Sequence, residues 1–223
     1  MRRLALICAA AFLTSSGWAA TYTFTGSNYT TTTDFTSCTA GACANFTTSM
    51  NLSGSFTVAA PLGTSLVNQN IASQLTSYSF SDGITTFAST DPNSRIFDFV
   101  VSTGASGNIT SAEIFLEEWQ SGASPHMSGD RVALVFIGAG GTTLAYDNAS
   151  AIFVGTAPSG VADASTITTP DDATSIANGP SGTWMVSVPT PTLGEWETIF
   201  LGGLLVTFAL LRLRRQERGT PAA

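Results

Sequence analysis

The sequence predicts an all-β protein: an antiparallel, jelly-roll-like β-sandwich, preceded by an N-terminal signal peptide and followed by a C-terminal transmembrane helix. Two observations predict the sandwich and a third sets its flanks. Phe46, Met50, Leu52, Phe56 and Val58 share one parity, while Thr47, Ser49, Asn51, Ser53, Ser55 and Thr57 hold the alternate places. That is the period-2 pattern of a strand with one dry and one wet face. Short apolar runs separated by turn residues then fill the middle of the chain, where no long segment shows a 3.6-residue period. The two ends differ: each is apolar, and together they hold six of the eight basic residues, all of them arginine.

Residues 1–19 read as an export signal. Arg2 and Arg3 supply the positive start, Leu4 to Leu13 the short apolar run, and SSGWAA the small residues for cleavage after Ala19, with Gly17 and Ala19 at the two restricted positions. Cys8 follows Ile7, where a lipoprotein signal needs a small residue. Removal of the signal leaves Cys38 and Cys43, in the run CTAGAC, as the only thiols. Export places them in an oxidising compartment, so the reading is a structural disulfide on a tight loop, worth roughly 2 kcal/mol by loop entropy.

The β domain is expected over residues 20–188. Gly54 interrupts the apolar face of the first clear strand and marks a bulge or a close approach. Further strands are expected at Ile71 to Phe80, Ile84 to Ala88, Ile96 to Val101, Ile109 to Trp119, Arg131 to Ile137, Thr143 to Tyr146, Ala151 to Val154 and Thr183 to Val188. Turns at Asp82-Gly83, Asp91-Pro92-Asn93, Gly104 to Asn108, Gly138 to Gly141 and Gly179-Pro180 separate them. Ala133 to Ile137 is apolar at every position and is therefore placed centrally. Gly155 to Asn178 is poor in large apolar residues and reads as a long loop.

Residues 189–197 form a proline-containing spacer, 198–215 an apolar helix closed by Arg212, Arg214 and Arg215, and 216–223 a cytoplasmic tail. Thr198 to Leu211 reaches about 20 Å as a helix, against about 30 Å of hydrocarbon, so the span draws on Leu193 to Leu213. The arginines hold that end inside the cell and leave the β domain outside.

The run TPTLGEW (Thr190 to Trp196), an apolar stretch and then RLRR (Arg212 to Arg215) resemble the IPTL-CTERM protein-sorting domain, a relative of the PEP-CTERM signals of Gram-negative bacteria. The resemblance covers about 30 residues and rests on Pro191, Thr192, Leu193, Glu195 and Trp196, with Thr190 and Gly194 departing from the pattern. It implies passage through the inner membrane, recognition by an exosortase-type processing enzyme, and association with exopolysaccharide at the cell surface or in the matrix. SGSFTVAAPL and YSFSDG look like stretches of the β domains that accompany such signals.

Charge and chemistry narrow the functions. The chain has no lysine, and between Thr21 and Leu193 twelve acids face Arg95 and Arg131, a balance of 2 − 12 = −10. Such a surface repels a phosphate backbone and excludes nucleic acid as a partner. His126 is the only histidine and sits in a Gly/Ser/Pro loop beside Ser124 and Ser128, with no nucleophile elbow, so no serine triad is expected. Glu117 and Glu118 are neighbours on a strand and point to opposite faces, which bars them from acting as a pair. Asp91, Asn93, Asp130, Asp147, Asp171 and Asp172 suit calcium or turn chemistry equally, without the spacing of a calcium loop. Trp119 and Trp184 suit sugar stacking or core packing. Five Asn-x-Ser/Thr sequons, at Asn28, Asn45, Asn51, Asn108 and Asn148, reflect composition.

Neither catalytic residues nor a cofactor or metal site is therefore expected. Two readings stand. The first is a non-enzymatic surface or matrix protein. The second is a secreted carbohydrate-binding module or glycoside hydrolase on a β-sandwich, which a row of exposed aromatics or a cleft with two close carboxylates would favour.

Overall fold

In the computed structural model the expected alternation becomes strands: β1 (Ala20–Thr25), β2 (Thr31–Thr33), β3 (Ser53–Val58), β4 (Gln69–Asn70), β5 (Leu75–Ser81), β6 (Thr86–Ala88), β7 (Ser94–Thr103), β8 (Ile109–Trp119), β9 (Arg131–Ile137), β10 (Thr143–Gly155), β11 (Ala164–Thr169), β12 (Ser175–Gly179) and β13 (Thr183–Ser187). The structure describes residues 18–38, 40–41, 43–188, 201–205, 207 and 209. Residues 18–188 form one unit, and the described residues beyond them belong to a second.

All pairings are antiparallel. One sheet has five strands in the order β13-β1-β3-β5-β6. The other has eight, in the order β2-β12-β10-β9-β8-β7-β4, with β11 beside the second half of β10. The sheets face each other over one apolar layer, giving a sandwich-like all-β fold. Tyr22, Phe24, Phe56 and Phe80 of the first sheet meet Phe99, Ile114, Leu116 and Val135 of the second in a single buried cluster. Phe56 bridges the layers, stacked on Tyr22 at 5.0 Å and edge-on to Phe99 at 5.0 Å. Each such ring contributes about 2 kcal/mol by leaving water, and edge-on pairing adds about 1 kcal/mol.

Several expectations hold at residue level. β8 and β9 run over the spans read from the sequence, and β9 lies between β8 and β10 with Ala133 to Val135 and Ile137 buried. Gly54 is a close approach: a Cβ there would lie 2.5 Å from the Phe80 Cα and 2.4 Å from the Ser79 carbonyl oxygen. Other boundaries are corrected. Phe46 and Leu52 are buried as the alternation requires, yet the strand begins only at Ser53. Residues 72–74 form a 3-10 turn ahead of β5. The two strands expected at Thr143 to Tyr146 and Ala151 to Val154 are one strand, β10, carried past a register shift where Asn148 has φ +60°.

The largest correction is Gly155 to Asn178, which is no long loop but contains β11 and most of β12. Its alanines explain the error. Ala164 and Ala177 are fully buried because small side chains let these strands lie close to β10 and the core, and small residues give a weak apolar signal. β1, β2 and β4 also lie outside the strands expected from the sequence.

The expected signal peptide, apart from Trp18 and Ala19, lies outside the described residues. So do the sorting motif Pro191, Thr192, Leu193, Glu195 and Trp196 and the membrane-stop arginines Arg212, Arg214 and Arg215. Residues 201–205, 207 and 209 are helical, with the Thr207 hydroxyl donating to the Gly203 carbonyl at 2.8 Å. Among the described residues no helix is long and apolar enough to cross a membrane.

Candidate functional site

Alternation gives the eight-stranded sheet an outer face as well as an inner one, and the outer face is also apolar. Trp119, Val132, Leu134 and Ala151 form a second buried cluster there, with Phe115, Tyr146 and Val154 packed against it. Phe97 of β7, Phe115 of β8 and Phe136 of β9 follow one another across neighbouring strands, with centroids 4.7 Å and then 6.2 Å apart. All three rings are half-buried. Leu144 and Tyr146 of β10 extend the row, and a shallow pocket of about 110 Å³ opens among Phe115, Leu134, Phe136, Leu144 and Tyr146. Its walls are apolar. They suit an apolar surface, such as the C–H face of a sugar ring or an apolar side chain.

The segment from β10 to β11 crosses one end of this face as a strap. The Ser159 hydroxyl donates to the Ile96 carbonyl, at 2.5 Å, and the Ser159 N–H to the Phe97 carbonyl at 3.1 Å. At its far end sits Asp163, at φ +60°. The backbone N–H of His126 donates to Asp163 Oδ1 at 2.7 Å, and His126 Nδ1 lies 2.8 Å from Oδ2. Arg95 Nη2 reaches the same Oδ2 at 3.3 Å, and Trp119 Nε1–H donates to the Asp163 carbonyl at 2.9 Å. Burial pushes the Asp163 carboxyl up, but the hydrogen bonds from His126 and Ser124 and the His126 charge outweigh it and hold the group at about 2. The His126 ring also stacks on Trp119, 4.2 Å between centroids and 4° between planes. The lone histidine thus fastens the strap and its own loop to the sheet, and Trp119 and Trp184 both pack against neighbouring rings, Trp184 lying against Phe24 and Phe56.

Buried acids form the other polar feature. Glu117 is fully buried on the outer face under β11, where Oε2 accepts from the Ser165 N–H at 2.9 Å and Oε1 has no partner. Burial raises it to about 8, against the Ser165 N–H and Arg95. Glu118 points the other way, as strand geometry demands, and burial together with Asp91 and Asp82 raises it to about 7. Asp82 is fully buried in the turn after β5; Oδ1 accepts from Ile84 and Thr85 at 2.8 and 2.6 Å. Burial lifts it to about 7, the Thr85 and Ile84 N–H groups opposing. Asp147 is raised by burial in the same way, with Gln120 Nε2 donating to its Oδ1 at 2.6 Å.

The other acids named from the sequence are turn builders or anchors. Asp91 accepts from the Asn93 N–H at 2.8 Å, Asp130 from the Met127 N–H at 2.9 Å, and Asp171 from the Ala173 N–H at 2.9 Å and from Arg131 at 2.6 Å. The Asp172 carbonyl accepts from the N–H groups of Thr36 and Ser37 at 2.8 and 2.9 Å. No three acidic, histidine or cysteine side chains among the described residues converge to hold a metal ion. Cys38 and Cys43 are bonded as a disulfide, Cα atoms 5.7 Å apart, and Asn148 Nδ2 lies 3.2 Å from Cys38 Sγ.

Sequence reasoning missed the aromatic row and the strap. Phe97, Phe115 and Phe136 each sit in an expected strand, but only strand order makes them neighbours.

An all-β, sandwich-like protein with one disulfide and an apolar outer face is the class that fold and site define. No family model, no curated protein and no solved structure matches the chain.

Proposed function

We propose that the chain is an exported, non-enzymatic surface or exopolysaccharide-associated protein with a jelly-roll-like β domain and a C-terminal sorting and anchoring signal. The observation that carries this reading is the order of elements after the β domain: Pro191-Thr192-Leu193, Glu195-Trp196, an apolar stretch, then Arg212, Arg214 and Arg215. The signal at residues 1–19 starts export, and the helix over 198–215 stops in the inner membrane with its arginines inside. An exosortase-type enzyme then recognises the motif and releases the β domain to the surface or matrix. The Cys38–Cys43 disulfide supports the route, because such bonds persist in oxidising compartments.

One observation favours a second reading, a carbohydrate-binding module. The half-buried row Phe97–Phe115–Phe136 is the kind of platform on which sugar rings stack. The glycoside hydrolase variant gains nothing from Glu117 and Glu118, which occupy opposite faces of β8.

The test is the intact mass of the mature protein from its native host, recorded with its cell fraction. Loss of about nineteen residues from the start and of everything from the TPTLGEW region onward is the expected result. A full-length tail on a protein confined to the inner membrane would refute processing and leave a single-pass anchor.

A further inference from the structure

The strands that close the two sheets are not equally protected. β2, β4 and β6 have three, two and three residues, too short to template another strand. β11 has six, but its pairing with β10 is broken by two register shifts. β13 differs: among the described residues it pairs with β1 alone, through five consecutive residues in unbroken register, Thr183 to Ser187. Folded proteins blunt such edges with charges, proline or bulges. Thr183–Ser187 has none of these, although its domain carries twelve acids.

The exposed side chains add a second, independent sign. Met185, Val186 and Val188 are 66 %, 43 % and 39 % exposed. Val186 is the register partner of the buried Tyr22 and so lies on the core-facing side of its sheet. Among the described residues no strand lies on the free side of β13, where a next strand would close the sandwich.

We infer that β13 pairs with β13 of a second copy of this chain, joining two five-stranded sheets into one antiparallel sheet of ten across a two-fold axis. The strand is self-complementary, as a two-fold interface requires. TWMVS read antiparallel against itself about Met185 sets Thr183 opposite the partner's Ser187 and Trp184 opposite the partner's Val186, with the two Met185 side chains meeting on the axis. Hydroxyl faces hydroxyl and apolar faces apolar at each step. The strand itself carries no charge, so two bodies each of about −10 meet here without setting carboxylate against carboxylate.

The test uses the full chain in mild detergent. Sedimentation should give twice the chain mass for the wild type and the single-chain mass for Met185→Lys, a solvent-facing change that leaves the near-UV circular dichroism intact. With Cys8 replaced by serine in both variants, Met185→Cys should link to its own copy on a non-reducing gel under mild oxidation, while Thr183→Cys, two residues off the axis, should not. A monomeric wild type would overturn the inference. So would a dimer that survives Met185→Lys, which would place the contact elsewhere, the C-terminal segment included.

Discussion

Asp163 shows how one residue can hold a segment in place. Its two oxygens take the His126 backbone and ring and the Arg95 guanidinium, while its carbonyl takes the Trp119 indole. Asp163→Asn keeps a residue that tolerates a positive φ but loses the charge. We expect a loss of about 2 kcal/mol in a urea titration at unchanged slope, and faster hydrogen exchange over residues 156–165. Asp163→Asn with wild-type stability would mean that the strap is held by packing alone. Glu117 gives the opposite kind of case. Its folded pKa, about 8, lies above the unfolded value, so the stability it lends is complete near pH 4 and disappears as the pH rises through 8. Glu117→Gln should therefore melt close to the wild type at pH 5 and above it at pH 9, when the two are compared by thermal denaturation.

At the level of elements, β3 and β5 approach as closely as they do because Gly54 has no side chain. Gly54→Ala would set a Cβ against backbone atoms that cannot rotate away, and we expect a cost of about 3 kcal/mol or loss of the folded protein on expression. The disulfide loop acts through a short ring of chain. Replacing both Cys38 and Cys43 by serine should lower stability by about 2 kcal/mol, read as a shift in the denaturation midpoint, with the rest of the sandwich unchanged. How far these elements could be read in advance depended on side-chain size. β8 and β9 were legible because large apolar residues mark their faces. β11 and β12 were not, since Ala164, Ser165, Ser175 and Ala177 are buried without being large. The reading of Glu117 and Glu118 followed from strand parity alone. The stacking of His126 on Trp119 did not, because the six residues between them belong to a loop and the third member, Asp163, arrives from beyond β10.

For the whole domain, the buried acids set the pH response. Asp82 and Glu118 near 7 and Glu117 near 8 are all held above their unfolded values by burial, so their combined contribution falls as the pH rises from about 4 to about 8. Asp163, held at about 2, and Asp171, lowered first by Arg131, work the other way and lose their contribution as the pH drops below about 4. The melting temperature should peak between about pH 4 and 5 and decline toward pH 8. A flat profile across that range would show that the acids are hydrated rather than buried.

What the sequence determined by itself is local and periodic. Alternation set the all-β class, strand parity set which residues share a face, and the spacing of Cys38 and Cys43 on a short loop set the disulfide. The order of strands, the pairing of the first strand with the last, the aromatic row on the outer face and the meeting of Arg95, Trp119, His126 and Asp163 were decided only by the tertiary structure. The physical reason is that a strand's pattern specifies which of its faces is buried but not which strand lies beside it. Neighbours are chosen by the packing of the whole sandwich, through contacts between residues far apart in the chain.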